Sequence, residues 1–536
     1  MNPAAPSLRT ALAAAPRRAL VFLLLAGLYL NQHVLTTPDA TPGMRGRDTL
    51  PPTLALVTIA LGPIRGLIAD VLWWRAVQFQ DDGEYFEIIQ LADWITAIQP
   101  RNTHVWAFQA WNMCYNIAFE FTEFEDRWPW IERALDLLRG DALRANPGSP
   151  ALHGEIVRIF QDRIAKPGNA EHDLFMRKWA VLMIEAMPRG DRAELAELAA
   201  MPISADELRT DPGVAALLAA AGPAGNALFS PATWRNPATW PASLSALAGD
   251  AAHAPAWHTL NLWHRATLLR TRQHLDLTQA LAVDDEYGPL DWRLPQAQAI
   301  YWGAHDHKAG TLSVEGLDYG QLFRQSMENA MLYGRLLIDP EAGILATSPN
   351  LEMIGRVNDY YDDMPARTAY SDRDHVLHHQ FLERAVALLY SCDRRDEAQR
   401  LYDWLGEIYG KPTPELDDFV AENLFPLLLR NTPETPRDTV VAALDQAYSW
   451  LAAGDVRRAT GYAKFAELCW RRNRPSDATM PSFDQLRQEV VGRLLAGGMA
   501  ESYKHRLAQR TVSQELVATA EQPVYLGRRV TARKAP

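Results

Sequence analysis

One stretch of the sequence has the residue types and the spacing of a metal site. His375, His379 and Glu383 recur every four residues, so on a helix they share one face. Imidazole and carboxylate groups placed this way can hold a transition metal of the kind used by hydrolases. The competing interpretation is a solvated helix start, where Asp374 lies near the cap and favours the helix dipole. We expect the solvated helix and keep a metal-dependent enzyme as the alternative.

A second set of polar residues surrounds an irregular, aromatic-rich passage. Asp291 and Arg293 precede a predicted helix that carries His305 and His307. A pocket beside that helix is one interpretation, and packing between helical hairpins is the other, which we favour because the neighbouring residues are aromatic. The acidic run from Asp359 to Asp363 is typical of a solvated loop and not of paired catalytic carboxylates.

The common catalytic signatures are missing from the sequence. There is no HExxH, GxSxG, GxxxxGK[ST] or kinase set, and no GxGxxG after a strand. The three cysteines, Cys114, Cys392 and Cys469, lack the close spacing of zinc and redox sites and are interpreted as small core residues. The sequence therefore predicts a protein that is not an enzyme and that carries no cofactor.

The composition and net charge of the chain limit the kinds of partner that it can bind. The chain has 536 residues, 48% hydrophobic and 22% charged, so it is folded and too long for one core. Its net charge of −12 argues against nucleic acid, which needs a basic footprint. Basic residues gather at the two ends, and the C-terminal group from Arg528 to Lys534 is interpreted as a solvated tail.

The N-terminal region predicts a membrane anchor. Residues 19–35 form an uncharged, mostly apolar run directly after Arg17 and Arg18. About 17 residues is the lower limit for a spanning helix, and the positive flank places the N-terminus in the cytoplasm. We therefore expect an uncleaved single-pass signal-anchor with an exported body. A cleaved signal peptide and a buried core helix are the alternatives, and the second apolar run, Leu54 to Leu61, is too short to span.

Residues Ala69 to Asn102 read as two helices joined by a tight turn. Helical periodicity runs to Gly83, resumes from Glu84 to Ile98 and stops at Pro100. A small residue, an aromatic residue, the turn and the closing proline carry a likeness to a known repeat: Ala76, Phe79, Gly83, Tyr85 and Pro100. This unit resembles a tetratricopeptide repeat. Ile88 and Ile95 depart from it, since the family has small residues there, and imply a looser helix crossing.

The same pattern returns near the other end of the chain. Val440 to Asn473 is similar to the family at its small positions and at its aromatic position: Ala447, Trp450, Gly454, Ala459 and Ala466. A weaker unit, His379 to Pro412, has Ala398 at a small position. The resemblance covers about a quarter of the chain and implies an all-α fold, a superhelix of helical hairpins. With the anchor predicted at 19–35, we expect this superhelix to follow an N-terminal transmembrane helix. It indicates a fold and not a function.

In tetratricopeptide arrays the first helix of each repeat lines a concave groove. Carried onto this sequence, the resemblance implies the following groove residues for partner binding: Asp70, Trp73, Val77, Gln80, His104, Trp111 and Tyr115. Aromatic residues among polar ones are typical of binding hot spots. The alternative is that the seventeen tryptophans fill gaps between loosely matched helices.

The punctuation of the chain divides it into successive segments. The tip and anchor (1–37) are followed by a linker with a juxtamembrane helix (38–68) and by the N-terminal hairpins (69–187). An Ala/Pro/Gly-rich insertion (188–255), diverged hairpins (256–375), the C-terminal repeats (376–520) and a basic tail (521–536) complete the chain. The insertion is either a set of short rim helices or a partly mobile stretch. We expect a membrane-tethered scaffold that binds proteins of the cell envelope or of a membrane transporter complex. A purely structural homo-oligomer is a further alternative, and the sequence leaves the oligomeric state open.

Overall fold

The computed structural model describes the chain from the end of the predicted linker onward. The described residues are 65–165, 170–308, 313–314, 317–339, 344–367, 372–410, 414–423, 435–473, 480–497, 501–512 and 523–531. The predicted anchor at 19–35, its alternatives, and the linker up to residue 64 lie outside them. The chain divides into two compact units, Met1–Val105 and Trp106–Pro536.

The described part of the first unit is a helical hairpin. Helix α1 (Arg65–Asp82) and helix α2 (Tyr85–Ile98) flank Gly83, whose φ of 77° allows the tight turn. Ala76 and Ile95 are 1% exposed and Ile88 is fully buried. The hairpin predicted over 69–102 is confirmed, and its core accepts the two isoleucines where a small residue was expected.

The described residues of the second unit are mainly helical. Helix α3 begins at Thr103 in the first unit and continues into the second unit. Its first half contains α3 (Thr103–Tyr115), α4 (Phe124–Leu137), α5 (Leu143–Ala145), α6 (Pro150–Ile159), α7 (Ala170–Ala186), α8 (Arg192–Ala199), α9 (Ala205–Leu208), α10 (Pro212–Ala221), α11 (Pro231–Trp234), α12 (Ala242–Ala248), α13 (Ala254–Thr271), α14 (Leu277–Tyr287) and α15 (Pro295–Lys308). Its second half contains α16 (Tyr319–Tyr333), α17 (Met353–Arg367), α18 (Asp372–Ser391), α19 (Arg395–Tyr409), α20 (Leu416–Asn423), α21 (Pro436–Ala453), α22 (Val456–Asn473), α23 (Phe483–Ala496), α24 (Glu501–Val512) and α25 (Arg528–Thr531).

Two helices of the second unit change pitch without ending. Helix α4 continues as a π-helical turn at Leu138–Ala142, and α6 continues as another at Phe160–Ile164. Phe160 is fully buried and meets Trp179 of α7 edge-on at 4.9 Å. The fully buried Leu138 and Phe160 show that both turns contribute apolar side chains to the core.

Residues 188–255 fold into short helices, the first of the two alternatives that the sequence left open. They close over a small core in which Val214, Leu217, Leu228 and Leu244 are fully buried. The long helix α13 contributes Ala256, Leu260 and Trp263 to the same core. Within the described residues, Pro212–Phe229 is the helical stretch that is long and apolar enough to cross a membrane by composition alone. Its second half, Gly222–Phe229, is a 3₁₀ helix.

Two short antiparallel hairpins interrupt the helices in the middle of the second unit. They are β1 (Ser313–Val314) with β2 (Leu317–Asp318), and β3 (Arg335–Asp339) with β4 (Ile344–Ser348). The acidic run from Asp359 to Asp363, interpreted from the sequence as part of a loop, lies on helix α17, so that interpretation is wrong. The apolar residues of α17 follow helical spacing and are buried: Met353, Ile354, Val357, Tyr360 and Tyr361.

The C-terminal part of the second unit is built from helical hairpins. Helices α18 and α19 form one, and α21 and α22 form another around Gly454, which takes the left-handed conformation at φ 98°. The two hairpins approach closely at Gly461 of α22, where a Cβ atom would lie 2.8 Å from the backbone nitrogen of Asp393. The three cysteines are buried and free, as expected.

The basic residues near the C-terminus do not form a solvated tail where the structure describes them. Residues 523–531 pack against α17 and α19, and Leu526 is 1% exposed. Arg528 and Arg529 pair with Asp363 and Asp362 of α17. The two arginine side chains remain exposed, but the segment that carries them is docked. The interpretations of a free tail and of a solvated acidic loop are therefore wrong for these residues, because each group supplies the counter-charge of the other.

Candidate protein-binding surfaces

Helix α1 presents an acidic and aromatic face to solvent. At about 100° per residue, Asp70, Trp74, Val77 and Asp81 fall on one side of the helix. All four are exposed, with Trp74 at 62% and Val77 at 39%. Exposed aromatic residues of this kind are enriched among the anchors of protein interfaces when they lie in an apolar patch.

The opposite side of α1 is in the core of the first unit. Trp73 packs against the cluster of Ala69, Ala92, Ile95 and Val105. Gln80 is half-buried. Of the four groove residues predicted on this helix, Asp70 and Val77 are on the outward face, whereas Trp73 and Gln80 lie toward the core. The exposed tryptophan is its neighbour Trp74, because one residue turns the helix by about 100°.

Helix α2 adds further exposed aromatic side chains. Phe86 is 50% exposed and Trp94 is 48% exposed. Among the described residues, ten large hydrophobic side chains are exposed, and five of these lie between Val71 and Trp94. Residues 65–105 also carry six acidic and three basic residues. Exposed apolar surface is thus concentrated on an acidic hairpin, a combination that suits a partner with apolar and basic groups.

The remaining predicted groove residues have different surroundings. His104 is exposed. In the second unit, half-buried Trp111 stacks on Tyr115 with ring centroids 6.0 Å apart. The guanidinium groups of Arg158 and Arg163 lie 5.1 and 5.6 Å from the Tyr115 ring centroid. Burial raises the pKa of the Tyr115 hydroxyl. Trp111 and Tyr115 are both half-buried, so this pair belongs to a partly buried aromatic and cationic contact.

The candidate metal ligands do not converge on one point. His379 Nδ1 lies 3.6 Å from Glu383, while its ring meets Tyr409 edge-on at 4.8 Å. His375 is exposed. Across the described part of the chain, no three His, Cys, Asp or Glu side chains are placed to share a metal ion. The His375, His379 and Glu383 set therefore has one near pair and no three-ligand cage in this structure.

The polar residues around position 291 hold a loop together. Arg293 forms two hydrogen bonds to the carboxylate of Asp291, at 2.7 and 2.8 Å. Asp291 also accepts a hydrogen bond from the backbone of Leu336 at 2.9 Å. His305 bonds instead to Gln279 at 2.7 Å. These contacts support the packing interpretation of this region.

Buried Asp284 organises the same loop from the other side. Its carboxylate accepts hydrogen bonds from the backbone of Leu290 and from the indole of Trp292, both at 3.0 Å. Burial raises the pKa of Asp284 even though these donors and Arg192 favour its charged form. The role of Asp284 is to fix the passage between α14 and α15.

The surface that sequence reasoning missed lies on α17. Asn358 donates a hydrogen bond to the backbone carbonyl of Leu526 at 3.0 Å, and Asp359 accepts one from the backbone of Arg528 at 2.7 Å. Tyr525 also donates its hydroxyl to Asp359 at 2.7 Å. Helix α17 is thus lined for contact with an extended chain.

A buried histidine of α18 positions the central residue of that contact. His378 is 4% exposed, stacks on Tyr361 at 4.8 Å and bonds to Asn358 Oδ1 at 3.0 Å. Burial, reinforced by the charge of Arg529, lowers the pKa of His378 to about 4. A neutral imidazole that donates to Asn358 leaves the amide nitrogen of Asn358 directed at Leu526. Helical spacing of Met353, Val357 and Tyr361 was the signal that could have revealed this helix.

Comparison with protein-family models, with curated proteins and with solved structures finds no match to this chain.

Proposed function

We propose that this protein is a membrane-anchored scaffold of tetratricopeptide-type helical hairpins that binds protein partners through the outward face of its first hairpin. Residues 19–35 form the anchor, the N-terminus is cytoplasmic and the body is exported. The partner is a protein of the cell envelope or of a membrane complex that offers apolar and basic side chains.

The observation that carries this proposal is the exposed face of α1. Trp74 is 62% exposed between Asp70 and Asp81. A tryptophan buried in an interface contributes more binding free energy than most other residues do. A carboxylate on each side of it favours a basic partner. The face needs no rearrangement to bind, because the hairpin core fixes α1 from its other side.

The helical hairpins support the architecture in this proposal. In α21 and α22, Ala447, Ala459 and Ala466 are at most 3% exposed. Small buried residues at these positions let two helices approach closely, as in the family that the sequence resembles. The hairpin α1–α2 has the same design at Ala76.

The tether explains how a modest surface would be sufficient. An anchor holds the binding face in a thin layer next to the membrane, where its effective concentration toward other membrane proteins is high. Weak contacts of a few aromatic residues then give useful occupancy. The same surface on a freely diffusing protein would bind little.

Affinity capture from native membranes tests the proposal. The tagged full chain is compared with a Trp74→Ala/Trp94→Ala variant and with a matched control, Val181→Ala/Ile203→Ala, whose two residues are 61% and 80% exposed on the second unit. We expect one protein to be retained by the wild type and the control, to fall at least tenfold with the tryptophan variant, and to be released by salt. Equal retention by all three proteins, or no retained protein, contradicts the proposal.

A further inference from the structure

We propose that the groove between α17 and α19 is a recognition site for a basic peptide segment, and that residues 523–531 occupy it in place of a partner segment of the same chemistry. This site is separate from the outward face of α1, and the inference does not depend on that face.

Side chains of the groove contact polar main-chain atoms of the occupant at alternate residues. Glu397 of α19 faces the backbone nitrogen of Val524 at 3.4 Å, Asn358 donates to the carbonyl of Leu526, and Asp359 accepts from the backbone nitrogen of Arg528. Side chains of two helices therefore take the place of a neighbouring strand. Main-chain hydrogen bonds to an extended segment are the common basis of peptide recognition.

The shape of the groove requires glycine at one position of the occupant. Gly527 has φ 110°, and a Cβ atom on it would lie 2.7 Å from Asn358 Nδ2. On the groove side, a Cβ atom on Gly355 would lie 2.6 Å from the carbonyl oxygen of Tyr525. The two glycines let the segment and α17 come into backbone contact, so a β-branched residue at either position would prevent docking.

Charge complementarity defines the rest of the occupant. Arg528 pairs with Asp363 at 2.6 Å, and Arg529 pairs with Asp362 at 2.9 Å. Arg529 also lies over Trp404 of α19, 5.2 Å from the ring centroid. Three aspartates at 359, 362 and 363 thus face two arginines. An aromatic residue, an aliphatic residue, a glycine and two basic residues in succession match this lining.

The ion pairs of the segment are largely exposed to solvent. Arg528 and Arg529 are 59% and 62% exposed, and ion pairs this exposed contribute little individually. Deep burial is restricted to the aliphatic side chains of Val524, Leu526 and Val530. The gain from burying these three side chains is opposed by the entropy of ordering nine residues. Such a segment is suited to exchange with a competitor.

The groove is also larger than its occupant. A cavity of about 650 Å³ remains open beside Pro523, Val524 and Tyr525. Its lining contains four arginines and two acids: Arg335, Arg356, Arg394, Arg457, Glu352 and Asp455. A longer partner segment with an acidic residue before its aromatic residue would place a carboxylate among these arginines.

Peptide binding to the full chain in detergent tests the inference. The probe is a fluorescent synthetic peptide with the sequence of residues 521–536. Its binding is compared between the wild type and two variants that weaken docking of the segment, Leu526→Asp and Arg528→Glu/Arg529→Glu; the second changes only exposed side chains, so it should fold. We expect at least tenfold tighter binding to either variant than to the wild type. When Asp362→Asn/Asp363→Asn is introduced into either of these variants, peptide binding should weaken at least fivefold and depend less on salt.

A matched peptide keeps the result specific. The same peptide with Gly527→Val has the same charge and should not bind. If folded variants bind the original peptide no better than the wild type, the segment is a fixed part of the fold and the inference is wrong. Equal binding of the Gly527→Val peptide would also overturn it, because binding would then rest on charge alone. Neither result bears on partner capture through Trp74.

Discussion

Protonation of His378 should destabilise the second unit as the pH falls below neutral. The pKa of this buried imidazole is lowered from 6.5 to about 4, chiefly because burial disfavours its charged form. In the unfolded chain it binds a proton below about pH 6.5. Between the two values the unfolded state holds more protons, so stability is fully present above pH 6.5 and is lost as the pH falls toward 4.

The size of the effect follows from the shift. A difference of about 2.5 pH units corresponds to about 3 kcal/mol over the whole range, of which about 2 kcal/mol is lost between pH 7.5 and pH 5. Other buried groups act in the opposite direction. Burial raises the pKa values of Asp284 and Asp362, which therefore favour the folded state as the pH falls. Burial also lowers the pKa values of His264 and His274, which act in the same direction as His378. The pH dependence of the wild type is the sum of these contributions, so the His378 contribution is read from a comparison with a variant.

Urea unfolding at the two pH values isolates that contribution. His378→Gln keeps an amide donor near Asn358 and does not titrate, and His258→Gln is the matched control on an exposed histidine. We expect the stability lost between pH 7.5 and pH 5 to be about 2 kcal/mol smaller in His378→Gln than in the wild type. His258→Gln should follow the wild type. Identical pH dependence in all three proteins would refute the assignment of His378 as a buried, neutral link to Asn358.

Three further predictions test the architecture. Deleting residues 1–37 should release a soluble body with a helical circular dichroism spectrum, and recovery only as aggregate, even with detergent, would count against the anchored array. Trp73→Ala should lower the free energy of unfolding in urea by about 2 kcal/mol, because Trp73 packs in the hairpin core. Trp74→Ala should change it by less than about 0.5 kcal/mol. Equal effects of the two variants would contradict the orientation of α1. Gly461→Ala should lower the free energy of unfolding by about 1–3 kcal/mol, since the new methyl group meets the backbone of Ser391 and Asp393. Gly492→Ala, whose methyl group meets nothing within 4 Å, should raise it by about 0.5–1 kcal/mol. Loss of stability only in the second variant would show that the α18–α22 contact is misplaced.

Local signals in the sequence predicted the helical hairpins well. Ala76, Gly83 and Pro100 mark a helix contact, a turn and a stop, and each is a short-range property of the chain. The observed α1 and α2 end where these residues place the ends. Ala447 and Gly454 are equally informative for α21 and α22.

The orientation of each helix was harder to predict than its existence. Trp73 and Trp74 are adjacent, and a one-residue error in phase exchanges the buried face with the exposed one. A family pattern supplies the approximate positions of groove residues. It does not supply the rotation of α1 against a partner helix, α2, that carries Ile88 and Ile95 where the resemblance implies small residues.

The α17 surface could not be predicted because its contacts are not local. Asp359, Asp362 and Asp363 pair with residues more than 160 positions later in the chain. Charged residues grouped in a loop or at a chain end read as solvated when considered alone. The helical spacing of Val357 and Tyr361 was present in the sequence, yet it identifies only the buried side of α17.

Site-specific photo-crosslinking in intact membranes tests the central claim most directly. A photoreactive amino acid replaces Trp74 in one protein and Ile203, which is 80% exposed on the second unit, in another. If the outward face of α1 binds a protein, position 74 gives a discrete crosslinked species with one partner chain and position 203 does not. Crosslinks from position 74 that contain only lipid, or that match those from position 203, would contradict a protein-binding scaffold built on this face.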